Sequence, residues 1–209
     1  MTDGRKVRGQ RSREAILATA VELASVDGLD GLSLSKLAAA AGMSKSGFFS
    51  HWRDKTELQL DAVEWAAAQW RDRIVVPALR RPRGVRRLFA LHEERLRFYA
   101  EGVLPGGCFF FAAEAEFDDL PGPVRERIAE AKRDWHGLLL RVLSEAVAQG
   151  DLVPETDPEL LVFEINAIGA AVVTSARLLE CEPSFRHGRQ AVLQRLRALA
   201  TDPALLPED

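Results

Sequence analysis

Cysteine is nearly absent. Cys108 and Cys181 are the two in 209 residues, which excludes a disulfide scaffold and leads us to expect a reducing, cytoplasmic compartment. Net charge is small as well, −3 at neutral pH, and 47% of the residues are hydrophobic. A highly basic histone-like or ribosomal protein is thereby excluded, and so is a disordered polyelectrolyte. No long apolar run is free of polar groups. The most apolar stretch, residues 160–179, carries Glu164, Asn166 and Arg177, groups that hydrocarbon would penalise, so no membrane span is expected. Residues 1–13 are polar and basic without an apolar core, so no secretory signal is read there. Catalytic signatures are missing too: no glycine-rich phosphate loop after a strand, no GxSxG, no HExxH and no cysteine pair at zinc spacing. His51, His92, His136 and His187 are scattered. Glu93-Glu94 and Asp118-Asp119 are adjacent pairs that point different ways on a helix. The expectation is no enzyme, no metal site and no cofactor.

What is present is helix-forming sequence between glycine and proline breaks. After Pro123 the apolar positions are Val124, Ile128, Ala131, Trp135, Leu138, Leu139, Val142, Leu143 and Ala146. Steps of three and four put them on one face of a long helix over 123–149. Pro123 suits its first turn and Gly150 its stop. The β-branched runs are short and sit inside helical patterns. The fold class is therefore all-α, with about nine helices.

Charge is unevenly spread. Residues 5–13 hold five basic groups and no acid. Residues 1–60 sum to +2 and the remainder to −5. A mildly basic head with a basic arm precedes an acidic body.

The head carries a recognisable local pattern. Ser12 is placed to cap a helix running to about Val26, with Gly28 as its stop and Ile16, Leu17, Ala20, Leu23 and Ala24 inward. Ser33 caps a short second helix with Leu34, Leu37 and Ala38 inward. Gly42 permits a left-handed turn, Met43 plugs it, and Ser44 caps a third helix from Lys45 to about Trp52. Two short helices joined by a glycine turn make a helix-turn-helix, whose second helix enters the major groove N-terminus first. Ser44, Lys45, Ser46 and Gly47 at that tip are small or donor-bearing. An ordinary αα corner has the same spacing.

The residues themselves narrow the choice. Ile16-Leu17-Ala18-Thr19-Ala20, Gly28, 32–38 (LSLSKLA), 41–52 (AGMSKSGFFSHW) and 54–58 (DKTEL) together resemble the N-terminal domain of the TetR family of transcriptional regulators, without a gap over about 10–60. Pro105-Gly106-Gly107-Cys108, Phe117-Asp118 and Pro121-Gly122-Pro123 resemble one branch of that family's variable C-terminal domains. The resemblance implies a DNA-binding domain over 1–55 and a ligand-binding and dimerisation domain over 56–209. It implies a homodimer on a near-palindromic double-stranded operator. Ser33 would cap toward a phosphate, and Lys45 and Ser46 would meet base edges. Gly47 stands where threonine is frequent. Phe49 replaces a tyrosine whose hydroxyl touches a phosphate, so one backbone hydrogen bond should be missing. Trp52 replaces a core phenylalanine. His51 and Lys55 match phosphate-facing positions, and the arm, including Arg11, can reach phosphates or a minor groove.

In the body, the same resemblance implies a cavity for a small apolar effector. Trp65, Phe89, Phe98, Tyr99, Phe110 and Trp135 are candidate lining residues, with His92, Glu114 and Asn166 as polar candidates. Any one of these fits an ordinary core equally well. Residues 161–179 are apolar nearly all round, and a final helix follows Pro183. Two such helices are expected to build a two-fold interface, with a buried central helix of a monomer as the competing reading. Residues 71–97 hold nine arginines against Asp72, Glu93 and Glu94 and are read as a solvated helix face. The expected activity is ligand-gated repression. The alternatives are a thiol-based redox sensor using Cys108 or Cys181, and an architectural DNA binder.

Overall fold

The structure, a computed structural model, describes residues 3–40, 42, 51–179 and 183–208, the side chains of residues 3–6 and 8 excepted. Its helices are α1 (Asp3–Asp27), α2 (Leu34–Ala40), α3 (Lys55–Trp70), α4 (Val85–Ala100), α5 (Phe109–Phe117), α6 (Pro123–Ala148), α7 (Pro158–Leu178) and α8 (Pro183–Leu199). No strand occurs among the described residues, only an isolated bridge between Leu152 and Ala200. The expected third helix, with Met43, Ser44, Lys45, Ser46, Gly47 and Phe49, lies outside the described residues, as does Cys181.

One expectation needs correction. α1 does not begin at Ser12 but at Asp3, so the basic arm is the first turns of the helix itself. No glycine or proline between 5 and 13 other than Gly9 opposes helix there, and Ser12 lies mid-helix. The winding does not stop at the end of α3. It passes through one π turn, Arg71–Val75, into a last helical turn, Val76–Leu79. Pro77 explains the widening: it has no N–H to donate, and its ring would press on the carbonyl four residues back. The backbone N–H of Val76 reaches Arg71 instead.

The chain forms two units. The first comprises residues 1–69 and 104–130. α1 buries Ile16, Leu17, Ala20, Val21 and Ala24, and α3 buries Leu58, Ala62, Val63 and Ala66. Trp52 is buried with them, as the sequence pattern implied. α1 lies against α5, which supplies Phe109, Ala113 and Phe117. The approach is close: Ser25 Oγ accepts from the Gly106 backbone N–H at 2.9 Å, and a Cβ at 106 would overlap the Ser25 carbonyl. Glu116 closes the other end by accepting from the Asp30 N–H at 2.9 Å. Arg127 at the start of α6 holds Glu64 of α3 through two parallel hydrogen bonds.

The second unit comprises residues 70–103 and 131–209. Its core is α4 packed against α7 and α8, with Leu88, Leu91, Leu139, Leu143, Leu161, Ile165, Val192 and Leu193 buried. Asp151 caps α4 by accepting from the Val85 N–H at 3.0 Å. Gly84 precedes it at φ +86°, where a Cβ would run into that carboxylate. α7 is long and apolar enough to cross a membrane, with mean hydropathy 1.5. In this unit it is a core helix: Leu161, Val162, Ile165, Gly169, Val172 and Val173 are buried, and Glu164 pairs with Arg195 of α8 at 2.6 Å.

Candidate nucleic-acid interface and polar core

In the first unit, Ser33 and Gly42 have the local conformations read from the sequence. Ser33 Oγ accepts from the Lys36 N–H at 3.3 Å and its carbonyl from the Leu37 N–H at 2.9 Å, capping α2. Gly42 sits at φ +64° and donates to the Ala39 carbonyl at the end of α2. Asp54 caps α3 by accepting from Glu57 N–H at 2.8 Å, and Glu57 returns to the Arg53 N–H at 2.9 Å. That reciprocal pair is close to a capping box, and the Arg53 backbone bond holds the Glu57 carboxyl below its ordinary range.

The basic side chains are partly committed within the unit. Lys55 Nζ donates to the Asp30 carbonyl and, at 2.8 Å, to its carboxylate. This ammonium holds the Asp30 carboxyl below its ordinary value. Arg13 pairs with Asp61 and lies over the Trp52 ring, 5.2 Å from its centroid. Arg11 is exposed, and the His51 ring stands 5.5 Å from that of Trp52. The head therefore presents Ser33, Arg11, His51 and a Lys55 that is shared with a carboxylate.

The candidate lining residues divide between the units. Trp65, Phe110 and Glu114 belong to the first, where the Phe109 and Phe110 rings meet edge to face at 5.3 Å. The second holds the others and gathers three of them around Trp70, a residue outside the expected lining set. Phe98, Tyr99 and Trp135 have ring centroids 5.9, 6.2 and 5.3 Å from it. Phe89 lies in the core, with Arg189 above its ring.

A polar chain runs beside these aromatics. Trp135 Nε1 donates to Asn166 Oδ1 at 2.9 Å. Arg95 Nη1 also donates to Asn166 Oδ1, at 3.4 Å, and Nη2 donates to the Ile165 carbonyl at 2.6 Å and to His92 Nδ1 at 3.0 Å. His92 Nδ1 is then the acceptor, so the proton rests on Nε2, which donates to the Gly188 carbonyl at 3.0 Å. Burial and the Arg95 charge push the His92 pKa down to about 3, so the ring is neutral. Gly169 makes the room: a Cβ there would overlap the guanidinium. The sequence puts Arg95 among the arginines of a solvated face, yet it is 3% exposed. Its register was legible, because it continues the buried series Leu88, Leu91 and His92.

Comparison with known proteins decides the family. The profile described as "Bacterial regulatory proteins, tetR family" matches residues 16–62, and "Tetracyclin repressor-like, C-terminal domain" matches residues 84–192, more than half the chain. The chain belongs to the TetR family. TetR-family proteins are transcriptional regulators that bind DNA and respond to ligands. A TetR regulator from Chloroflexus aurantiacus superimposes with a TM-score of 0.85 at 27% identity, over 92% of this chain and 98% of that one. The HTH-type transcriptional repressor NemR of Escherichia coli is 25% identical over 140 residues, 66% of this chain and 68% of NemR. AibR, solved with isovaleryl coenzyme A and operator DNA, shares the fold with a TM-score of 0.71 at 21% identity, over 92% of this chain and 98% of AibR.

Proposed function

We propose that this TetR-family regulator is a ligand-gated repressor that binds a near-palindromic operator as a homodimer. The observation that carries the reading is the Ser33-capped α2 and the left-handed Gly42, set inside the stretch matched by the DNA-binding profile. Residues 1–55 are assigned DNA binding, and 56–209 effector binding and dimerisation, in the cytoplasm. Lys45 and Ser46 are assigned base contacts, with Ser44 and Gly47 beside them. Ser33, His51, Lys55 and Arg11 are assigned phosphates, and Phe49 leaves one phosphate bond unmade.

Dimerisation is assigned to the outer face of α7, where Leu160, Phe163 and Leu178 are exposed on an otherwise packed helix. A small apolar effector is assigned to the aromatics around Trp70 and Trp135, with Asn166 and His92 as polar neighbours. Effector binding favours a dimer in which the two recognition helices no longer match successive major grooves. Its effect on DNA affinity cannot exceed its differential affinity for the two states. No catalytic step belongs to this reading.

Binding to a panel of operator variants tests the division of labour. Lys45→Ala is expected to change sequence preference, while Lys55→Ala weakens all duplexes alike and lowers the salt slope by about 1. Equal loss on every duplex for Lys45→Ala would remove its base-reading role. A second reading, thiol switching at Cys108, has one observation behind it. Cys108 is the N-cap of α5, at the positive end of that helix's dipole. That reading requires peroxide to change operator affinity in the native chain and not in Cys108→Ser.

A further inference from the structure

A groove of about 310 Å³ lies in the second unit, between the last two turns of α4 and the first two of α8. Its floor is Leu96, Ala100 and Phe185, and its rim is Arg97, Arg186 and Arg189 with Glu93. None of these residues belongs to the aromatic cluster around Trp70, and none entered the assignment of DNA or effector surfaces.

The rim charges are unequal. Arg189 Nε donates to Glu93 at 2.8 Å, so that carboxylate is already taken. Arg97 donates to Glu94 at 2.7 Å from a side chain that is still 56% exposed. Arg186 is exposed and makes no ion pair among the described residues. Two of the three guanidinium groups are paired with Glu93 and Glu94, so the surplus positive charge beside the apolar lining is that of Arg186. The N-terminal end of α8 adds its positive dipole end to the same side. This positive rim lies on a body whose sequence carries a net −5 beyond residue 60.

We infer that this groove binds a small organic acid, a carboxylate on an aromatic or short aliphatic body. The guanidinium fork matches a carboxylate in two parallel hydrogen bonds. Leu96, Ala100 and Phe185 remove the apolar body from water. The volume is at the small end of the range for ligand sites, about 300–1,000 Å³, which favours a compact acid over a long chain. Binding draws Arg97 and Arg189 toward the ligand and so competes with Glu94 and Glu93 for them. The groove is assigned by its own residues and does not depend on the effector assignment.

The test is titration of the full ¹⁵N-labelled chain with benzoate and octanoate, and with the neutral isosteres benzamide and octanamide. Saturable amide shifts are expected at Leu96, Ala100, Phe185 and Arg189 with the acids, and none with the amides. Arg186→Gln and Arg97→Gln are each expected to raise the dissociation constant about tenfold, one charge-assisted hydrogen bond's worth. Ala100→Trp fills the groove from an exposed helix end and is expected to abolish the shifts with the amide spectrum otherwise intact. Amides binding as tightly as the acids would overturn the inference. So would shifts surviving Ala100→Trp, shifts centred on Trp70 and Trp135, or no saturable shift with either acid.

Discussion

Replacing His92 by glutamine isolates a single proton in the stability of this protein. In the folded chain the imidazole is buried, donates to the Gly188 carbonyl and accepts from Arg95, and its pKa is pushed down to about 3. In the unfolded chain it titrates at about 6.5. Below that value the unfolded state takes up a proton that the folded state refuses. The stability is therefore complete above about pH 6.5 and is lost progressively as the pH falls toward 3. The slope is about 1.4 kcal/mol per pH unit, so the loss is about 2 kcal/mol at pH 5. For a domain of this size that is roughly a 4–8 °C fall in Tm. The carboxyl groups of Asp30, Glu57 and Glu64, whose pKa values are lowered by their partners, act in the same direction only at more acid pH. The window from pH 7 to 5 thus reports chiefly on the imidazole. Glutamine keeps a donor for Gly188 and an acceptor for Arg95 but cannot titrate. Urea unfolding followed by circular dichroism across that window is expected to give a sloping native chain and a nearly flat His92→Gln variant. Equal slopes, or a native chain indifferent to pH between 7 and 5, would refute the reasoning.

Other expectations follow from the close approaches. Gly106→Ala forces a methyl group into the Ser25 backbone and is expected to cost about 2–3 kcal/mol by urea titration, since backbone gives way less easily than a side chain. Gly169→Ala meets the Arg95 guanidinium first and is expected to shift the Trp135 fluorescence, because Asn166 links the two side chains. Glu116→Ala releases the Asp30 N–H and loosens the loop that carries the Lys55 partner. It is expected to weaken operator binding several-fold in a mobility-shift assay with little change in Tm.

The helices were legible because their signals are local. Pro123 and Gly150 bracket α6, Pro183 opens α8, and Ser33 and Gly42 set the head's turns at the residues where the structure has them. What stayed hidden depends on partners far away in sequence. Nothing near Glu116 says that it will meet the loop at Asp30, and Gly106 reads as an ordinary turn until Ser25 is beside it. Trp70 shows no period that separates it from Trp65, yet Trp70 is the one ringed by Phe98, Tyr99 and Trp135. Arg95 was misplaced for another reason: its charge outweighed its register. The π turn was readable in principle from Pro77, whose missing N–H acts on the turn before it.

The first unit is stitched from two stretches of chain, 1–69 and 104–130. That order has a consequence during synthesis. When residue 69 leaves the ribosome, α1 still lacks the helix that covers it, because Phe109, Ala113 and Phe117 have not been made. The DNA-binding head of this protein therefore completes its folding only after much of the chain beyond it has emerged. A fragment ending at residue 69 would carry the recognition sequence on an apolar surface left open to water.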